Sequence, residues 1–221
     1  MRAVTIARTW DETPGLRAIL LDVGPAATSH AHAGQFVRLE CEAGAGWFAL
    51  ASRPGERWEL LVRRGPKLAE FVSALAVDAI VRVSDAQGAG YPLHLAKRHD
   101  LLLIAAGSGI APIRSAALEV RARRRDFKKV TLVYGEKHPH DLAYARDLAT
   151  WEQDGIAVHR VLSRAPKAWT GQRGYVQQAL LHEAIAPSAH AFVTGMPSMM
   201  HAVTETLLSR GLAPDRIHRN A

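Results

Sequence analysis

The stretch Gly107-Ser108-Gly109-Ile110-Ala111-Pro112 has the makings of an anion-binding turn. Its glycines permit a tight turn and let backbone approach a phosphate closely. A helix opening beyond them offers unpaired N–H groups and the positive end of its dipole. Pro112 suits the first turn of that helix, where its missing N–H costs nothing. Glu136 ends a second apolar run; in an ordinary dinucleotide-binding fold an acid there holds a ribose 2′-hydroxyl and selects NAD. A lone G-x-G is common, and an ordinary strand–helix turn shares its look, so the setting must carry the reading.

Other reactive residues point elsewhere or nowhere. Eleven histidines include the pairs His30/His32 and His138/His140, each beside a turn. Their i, i+2 spacing is wrong for a helical ligand pair, and no cysteine or acid cluster joins them, so no metal site is expected. Ser108 lacks the G-x-S-x-G context of a nucleophile elbow. Cys41 is the one cysteine. It excludes internal disulfides and a cysteine-rich metal centre, and fits a reducing, cytoplasmic setting.

The elements that would hold these residues change style along the chain. Segments 4–8, 16–23, 35–40, 48–52, 58–63 and 80–84 are short apolar or alternating runs between Gly, Pro and polar clusters, interrupted by a helical stretch at 67–75. That pattern predicts an antiparallel barrel or sandwich. From residue 98 onward strands at 101–106, 130–134, 157–162 and 189–194 alternate with helices at 111–124, 141–151, 175–181 and 197–210. The run LLLIAA at 101–106 has the continuous apolar character of a strand buried on both faces. Alternation of this kind predicts a parallel sheet with right-handed crossovers. Two units follow, 1–97 and 98–221.

A chain of 221 residues with 48% hydrophobic and 22% charged content can build two small cores. No apolar run is long enough to span a membrane, and the N-terminus lacks the apolar core of a signal peptide. The net charge of +7 would steer acidic partners, either nucleic acid or an acidic redox protein. No nucleic-acid motif is present, so nucleic acid is not expected. The basic cluster at 121–129 reads as the solvated end of a helix.

Strand-G-S-G-I-A-P-helix closely resembles the nicotinamide-binding domain of the ferredoxin–NADP reductase superfamily. The likeness continues through Leu132-Val133-Tyr134-Gly135, Asp141-Leu142, Tyr144, then Thr194-Gly195-Met196-Pro197 with Met199 and Met200, and finally Gly211-Leu212 and Ile217. In the first half, Gly34-Gln35-Phe36-Val37 and the loop Gln87–Leu93 are similar to segments of the family's flavin barrel. The resemblance implies a six-stranded antiparallel flavin-type barrel followed by an α/β parallel-sheet NAD(P)-binding domain. It implies nucleotide contacts at Gly107, Ser108, Gly109, Pro112, Gly195, Met196 and Pro197. Thr194 stands where the family has a cysteine near nicotinamide C4, and is the catalytic-position candidate. Ser163, Arg164, Arg173 and Tyr175 match a 2′-phosphate site, which favours NADP(H) over NAD(H); guanidinium groups and a hydroxyl suit a dianion, and a ring suits adenine.

The flavin signature is eroded. Where the family carries Arg-x-Tyr-Ser-x-x-Ser, this chain has Gly46, Phe48, Ala49 and Ser52. The implied flavin contacts are Phe48, Ala49, Leu50 and Ser52, with Gly65 and Lys67 at the phosphate-binding turn, where the usual hydroxyl is missing. The closing residues Arg219-Asn220-Ala221 offer no aromatic to stack on a flavin. The reading is an NAD(P)H-dependent flavin oxidoreductase, using FAD or another flavin and serving an unidentified acceptor. The alternative is a flavin-free nucleotide-binding relative acting as a regulatory or partner subunit.

Overall fold

The computed structural model describes residues 1–65 and 67–220. Six strands form an antiparallel sheet: β1 (Arg2–Thr13), β2 (Leu16–Asp22), β3 (Phe36–Cys41), β4 (Gly44–Ala49), β5 (Trp58–Arg63) and β6 (Ile80–Val83), in the order β4-β3-β6-β1-β2-β5. Its two edges meet. Leu50, directly after β4, bridges Leu60 of β5, and the Ala51 N–H donates to the Glu59 carbonyl at 2.8 Å. The sheet thereby closes on itself as the expected barrel, around Ile6, Leu39, Leu50, Trp58 and Leu60. Helix α1 (Leu68–Ala74) follows β5.

The second sheet is parallel, in the order β10-β9-β8-β7-β11-β12. Its strands are β7 (Leu101–Ala106), β8 (Val130–Glu136), β9 (Ala157–Leu162), β10 (Gln172–Arg173), β11 (His190–Thr194) and β12 (Ile217–Arg219). The connecting helices are α2 (Ile110–Ala122), α3 (Ala145–Gln153), α4 (Val176–Leu180) and α5 (Pro197–Ser209). The chain runs from β7 out to β10 and then returns to β11 on the other side of β7. That reversal opens a crevice at the carboxyl ends of β7 and β11, the place where open α/β sheets bind ligands.

Strand β1 runs well beyond the expected 4–8 and β10 is an added short strand; two further departures bear on the site, each for a local reason. Strand β4 lies at Gly44–Ala49 rather than 48–52, because a tight hairpin pairs Cys41 with Gly44 and Phe36 with Ala49. Leu50 and Ser52 therefore turn inward. The helix expected at 141–151 starts at Ala145, because Tyr144 adopts a left-handed φ of 59°. Its N–H and hydroxyl are held by Glu12 and Glu59, both at 2.9 Å.

The two sheets share a core. Leu16, Ala18, Ala51 and Leu61 of the barrel pack in one cluster with Leu103, Ile113, Tyr134 and Phe192. Arg114 of α2 reinforces the join: it donates to the Ala51 carbonyl at 2.9 Å, to Glu59 at 3.1 Å and to Asp147 at 2.6 Å, and lies over the Tyr144 ring.

Candidate functional site

Between the sheets lies a cavity of about 1240 Å³. Its floor is the turn after β7. Gly107 takes a φ of +61°, and Gly109 leads into the first turn of α2. The turn after β11 presses against it: a Cβ on Gly109 would stand 2.7 Å from the Thr194 carbonyl oxygen and 3.0 Å from the Gly195 nitrogen. Both are backbone atoms, so only glycine allows this approach. Gly107, Ser108, Gly109, Pro112, Thr194, Gly195 and Met196 all line the cavity. Pro197 does not; it occupies the first turn of α5.

The side beyond β8 and β9 is polar. Ser163 N donates to the Glu136 carbonyl at 3.0 Å, and Arg164 N to the Lys137 carbonyl at 2.9 Å. These bonds extend the sheet by one step and set Ser163 and Arg164 beside Glu136 and Lys137, all four on the cavity wall. Tyr175 stands 60% exposed at the same wall. Arg173 does not reach it. Its guanidinium is occupied by four loop carbonyls, those of Ala165, Pro166, Lys167 and Trp169, at 2.9–3.1 Å. The arginine expected at a 2′-phosphate is thus a brace for the 165–169 loop.

The Glu136 carboxyl turns towards the phosphate turn rather than outward. Tyr134 donates to it at 3.2 Å, and Arg63, the last residue of β5, approaches it to 4.0 Å. Burial raises its pKa above the ordinary range, and the Arg63 cation opposes that shift. The same Arg63 guanidinium stands over Gly107.

The barrel contributes an apolar shelf of Trp47, Phe48, Ala49, Leu61, Val62 and Ala69, with Arg63 at its end. Phe48 and Ala49 are where expected. Leu50 is fully buried in the barrel core. Ser52 is also buried, and its Oγ accepts the Glu59 N–H at 3.1 Å, a brace across the closing strands. Gly65 and Lys67 lie off the cavity wall, on the turn into α1. Ala221 lies outside the described residues, as does Pro66. At Gly46, a Cβ would meet Leu68 at 2.5 Å, so the space an arginine would use is filled.

Sequence reasoning passed over Trp47, Arg63 and Lys137. That Arg63 is a basic residue ending a barrel strand is the one trace of it in the sequence, and it does not by itself mark a site. The structure also adds an acid to one histidine pair: ligand atoms of His138, His140 and Asp141 lie within 4.8 Å of one another. That carboxylate accepts the His138 N–H at 3.1 Å, the usual duty of a residue capping a short turn.

Residues 103–205 match the model of the oxidoreductase NAD-binding domain. The γ subunit of sulfhydrogenase 1 from Pyrococcus furiosus is 29% identical over 192 residues, which cover 83% of this chain and 65% of that one. NADH-cytochrome b5 reductase 2 from Aspergillus niger is 32% identical over 123 residues, 52% of this chain and 38% of the relative. This chain thus spans less than two thirds of either relative. Among solved structures, a ferredoxin NADP+ reductase from Neisseria gonorrhoeae with bound FAD and NADP superposes with a TM-score of 0.84. It is 24% identical, covering 99% of this chain and 97% of that one. The ferredoxin reductase of carbazole 1,9a-dioxygenase superposes with a TM-score of 0.85 at 21% identity, over 99% of this chain and 68% of that one. Closed antiparallel barrel, parallel sheet and phosphate turn together give the chain the two-domain fold of these solved ferredoxin reductases, with an oxidoreductase NAD-binding domain matched over residues 103–205.

Proposed function

We propose that the chain is an NAD(P)H-dependent oxidoreductase that passes electrons from nicotinamide through a flavin to a further acceptor. The observation that carries this reading is one cavity joining an apolar barrel shelf to a phosphate turn. Its volume of about 1240 Å³ exceeds the roughly 300–1,000 Å³ of pockets for a single drug-sized ligand. That excess supports two ring systems lying together.

The nicotinamide nucleotide takes the parallel-sheet side. Its pyrophosphate meets the N–H groups opening α2, its adenosine end lies by Arg164 and Tyr175, and its reacting ring lies by Thr194 and Gly195. Arg164 and Lys137 place two cations on the adenosine wall, which supports NADP(H). Glu136, the residue that would argue for NAD, is turned away to Tyr134 and Arg63.

The barrel side fits a flavin. Trp47 and Phe48 offer ring faces, Ala49 leaves backbone for polar contacts, and Arg63 supplies the cation that Gly46 cannot. A flavin held there would accept a hydride and release electrons singly. The protein's own contribution is orientation and exclusion of water. The +7 charge supports an acidic protein as acceptor, in keeping with relatives named for a hydrogenase and a dioxygenase.

The test is an absorbance scan of the purified protein, before and after addition of FAD, followed by titration with NADPH and with NADH. Flavin absorbance that bleaches at lower NADPH than NADH is the expected result. A protein that binds nucleotide but neither retains nor takes up flavin would instead be the nucleotide-binding partner subunit. One that binds neither would overturn the whole reading.

A further inference from the structure

Tyr91 comes from the loop after β6, yet it reaches across to the far sheet. Its ring stacks on Phe192, centroids 4.6 Å apart and planes within 5°. Its hydroxyl is hydrogen-bonded to Thr194 Oγ1. Phe192 and Thr194 are two residues apart on β11, so they share a face of the strand, and Tyr91 lies along that face. The side chain is clamped in place. Its N–H donates to the Ala33 carbonyl at 2.7 Å, and even a Cβ on Gly34 would come within 2.8 Å of the ring. Tyr91 is only 4% exposed. Burial raises its pKa, so the hydroxyl stays neutral and keeps its proton to share.

Thr194 is different: it is half-buried and lines the cavity, its carbonyl wedged against Gly109. A hydroxyl has one proton to donate and two lone pairs. Tyr91 engages some of that capacity from the protein side, which stops the group from rotating freely. The rest is left for a partner, and because Thr194 stands on the cavity wall a planar primary amide bound there, with one acceptor and two donors, would complete it.

We propose that Tyr91 is the positioning residue of the nicotinamide subsite: its hydroxyl fixes the Thr194 hydroxyl in the orientation that receives the carboxamide. This rests on the reading that the cavity takes a nicotinamide nucleotide. Tyr91 touches no substrate itself. It acts through Thr194, and selects the ring's amide rather than the phosphates or the adenosine.

The test uses Tyr91→Phe, Thr194→Val and the double variant. Tyr91→Phe keeps the ring stacked on Phe192, so the fold has no reason to fail; thermal denaturation checks this. Each protein is titrated calorimetrically with NADP+ and NAD+, and with the same nucleotides lacking the nicotinamide ring, 2′-phospho-ADP-ribose and ADP-ribose. The wild type should bind the ring-bearing form more tightly. Each single variant should lose up to about tenfold of that preference, the scale of one hydrogen bond. Affinity for the ringless form should not move. The double variant should lose no more than either single one, because the two hydroxyls act as a unit. Equal weakening of both forms by Tyr91→Phe, or additive losses in the double variant, would overturn the proposal. Equal binding of both forms by the wild type would sink the subsite alone. No binding of any nucleotide would sink the functional reading with it.

Discussion

At Gly109 a single methyl group would push apart a pair of loops. Its Cβ would press on the Thr194 carbonyl and the Gly195 nitrogen at 2.7 and 3.0 Å, and neither atom can rotate aside. Gly135 is equally tight, but there the obstacle is Cγ1 of Val176 at 2.6 Å, a side chain on the short helix α4. Gly109→Ala should therefore cost about 1–3 kcal/mol of stability and weaken nucleotide binding, while Gly135→Ala should be milder on both counts. Thermal denaturation and nucleotide titration of the pair check this, and the reverse order would contradict it. The glycines were legible in the sequence because an apolar strand precedes them and a helix follows. Arg63 and Tyr91 were not, since their partners lie 73 and 103 positions away. Arg173 shows the opposite failure. Spacing located its Cα, but four nearby carbonyls decided where its guanidinium went.

Among the elements, α2 has two duties. Its first turn faces the cavity, and one turn later Arg114 ties it to the barrel through Ala51 and Glu59. Glu59 is 7% exposed. Burial raises its pKa, and Arg114 is the foremost opposing influence. In Arg114→Met the carboxylate would be left buried without its cation, which typically costs about 3–5 kcal/mol. That cost depends on pH. A carboxyl whose folded pKa is raised binds its proton more readily in the native state, so stability is lost as pH rises through that pKa. Protonated Glu59 needs no cation. The deficit of Arg114→Met should thus be largest at neutral pH and shrink towards roughly pH 4. Denaturant midpoints at both pH values measure it, and a pH-independent deficit would refute the account. Strand–helix alternation made the parallel sheet readable in outline, because β7 is apolar throughout and β8 and β11 are apolar over most of their length. The late start of α3 was not readable, because distant Glu12 and Glu59 hold Tyr144 out of the helix.

Over the whole molecule, His30 is one of the groups through which acid should act, beside His190, whose pKa burial also pushes down to about 4. His30 is 1% exposed, and neither ring nitrogen has a hydrogen-bond partner among the described residues. Burial pushes its pKa down to about 4. A histidine depressed in this way withholds its proton in the native state while the unfolded chain accepts one. Stability is therefore intact above roughly pH 6.5 and falls between there and the folded value, by up to roughly 3 kcal/mol. His30→Met should make that fall shallower in chemical denaturation followed against pH, leaving the share that His190 contributes over the same window; an unchanged slope would contradict the account. The barrel's closure was inferred from likeness to a family. Its physical cause, the Leu50–Leu60 bridge, depends on a hairpin register that local patterning placed four residues too late.

The shared core has one more consequence, for inheritance rather than chemistry. Tyr91, Leu16, Ala51 and Leu61 belong to the same packed cluster as Ile113, Tyr134 and Phe192. A recombination event that exchanged one half for a homologue's would have to match a foreign surface residue by residue, or leave voids where methyl groups had met. The two halves of this lineage are therefore bound to drift together, each substitution at the seam constraining the next on the other side.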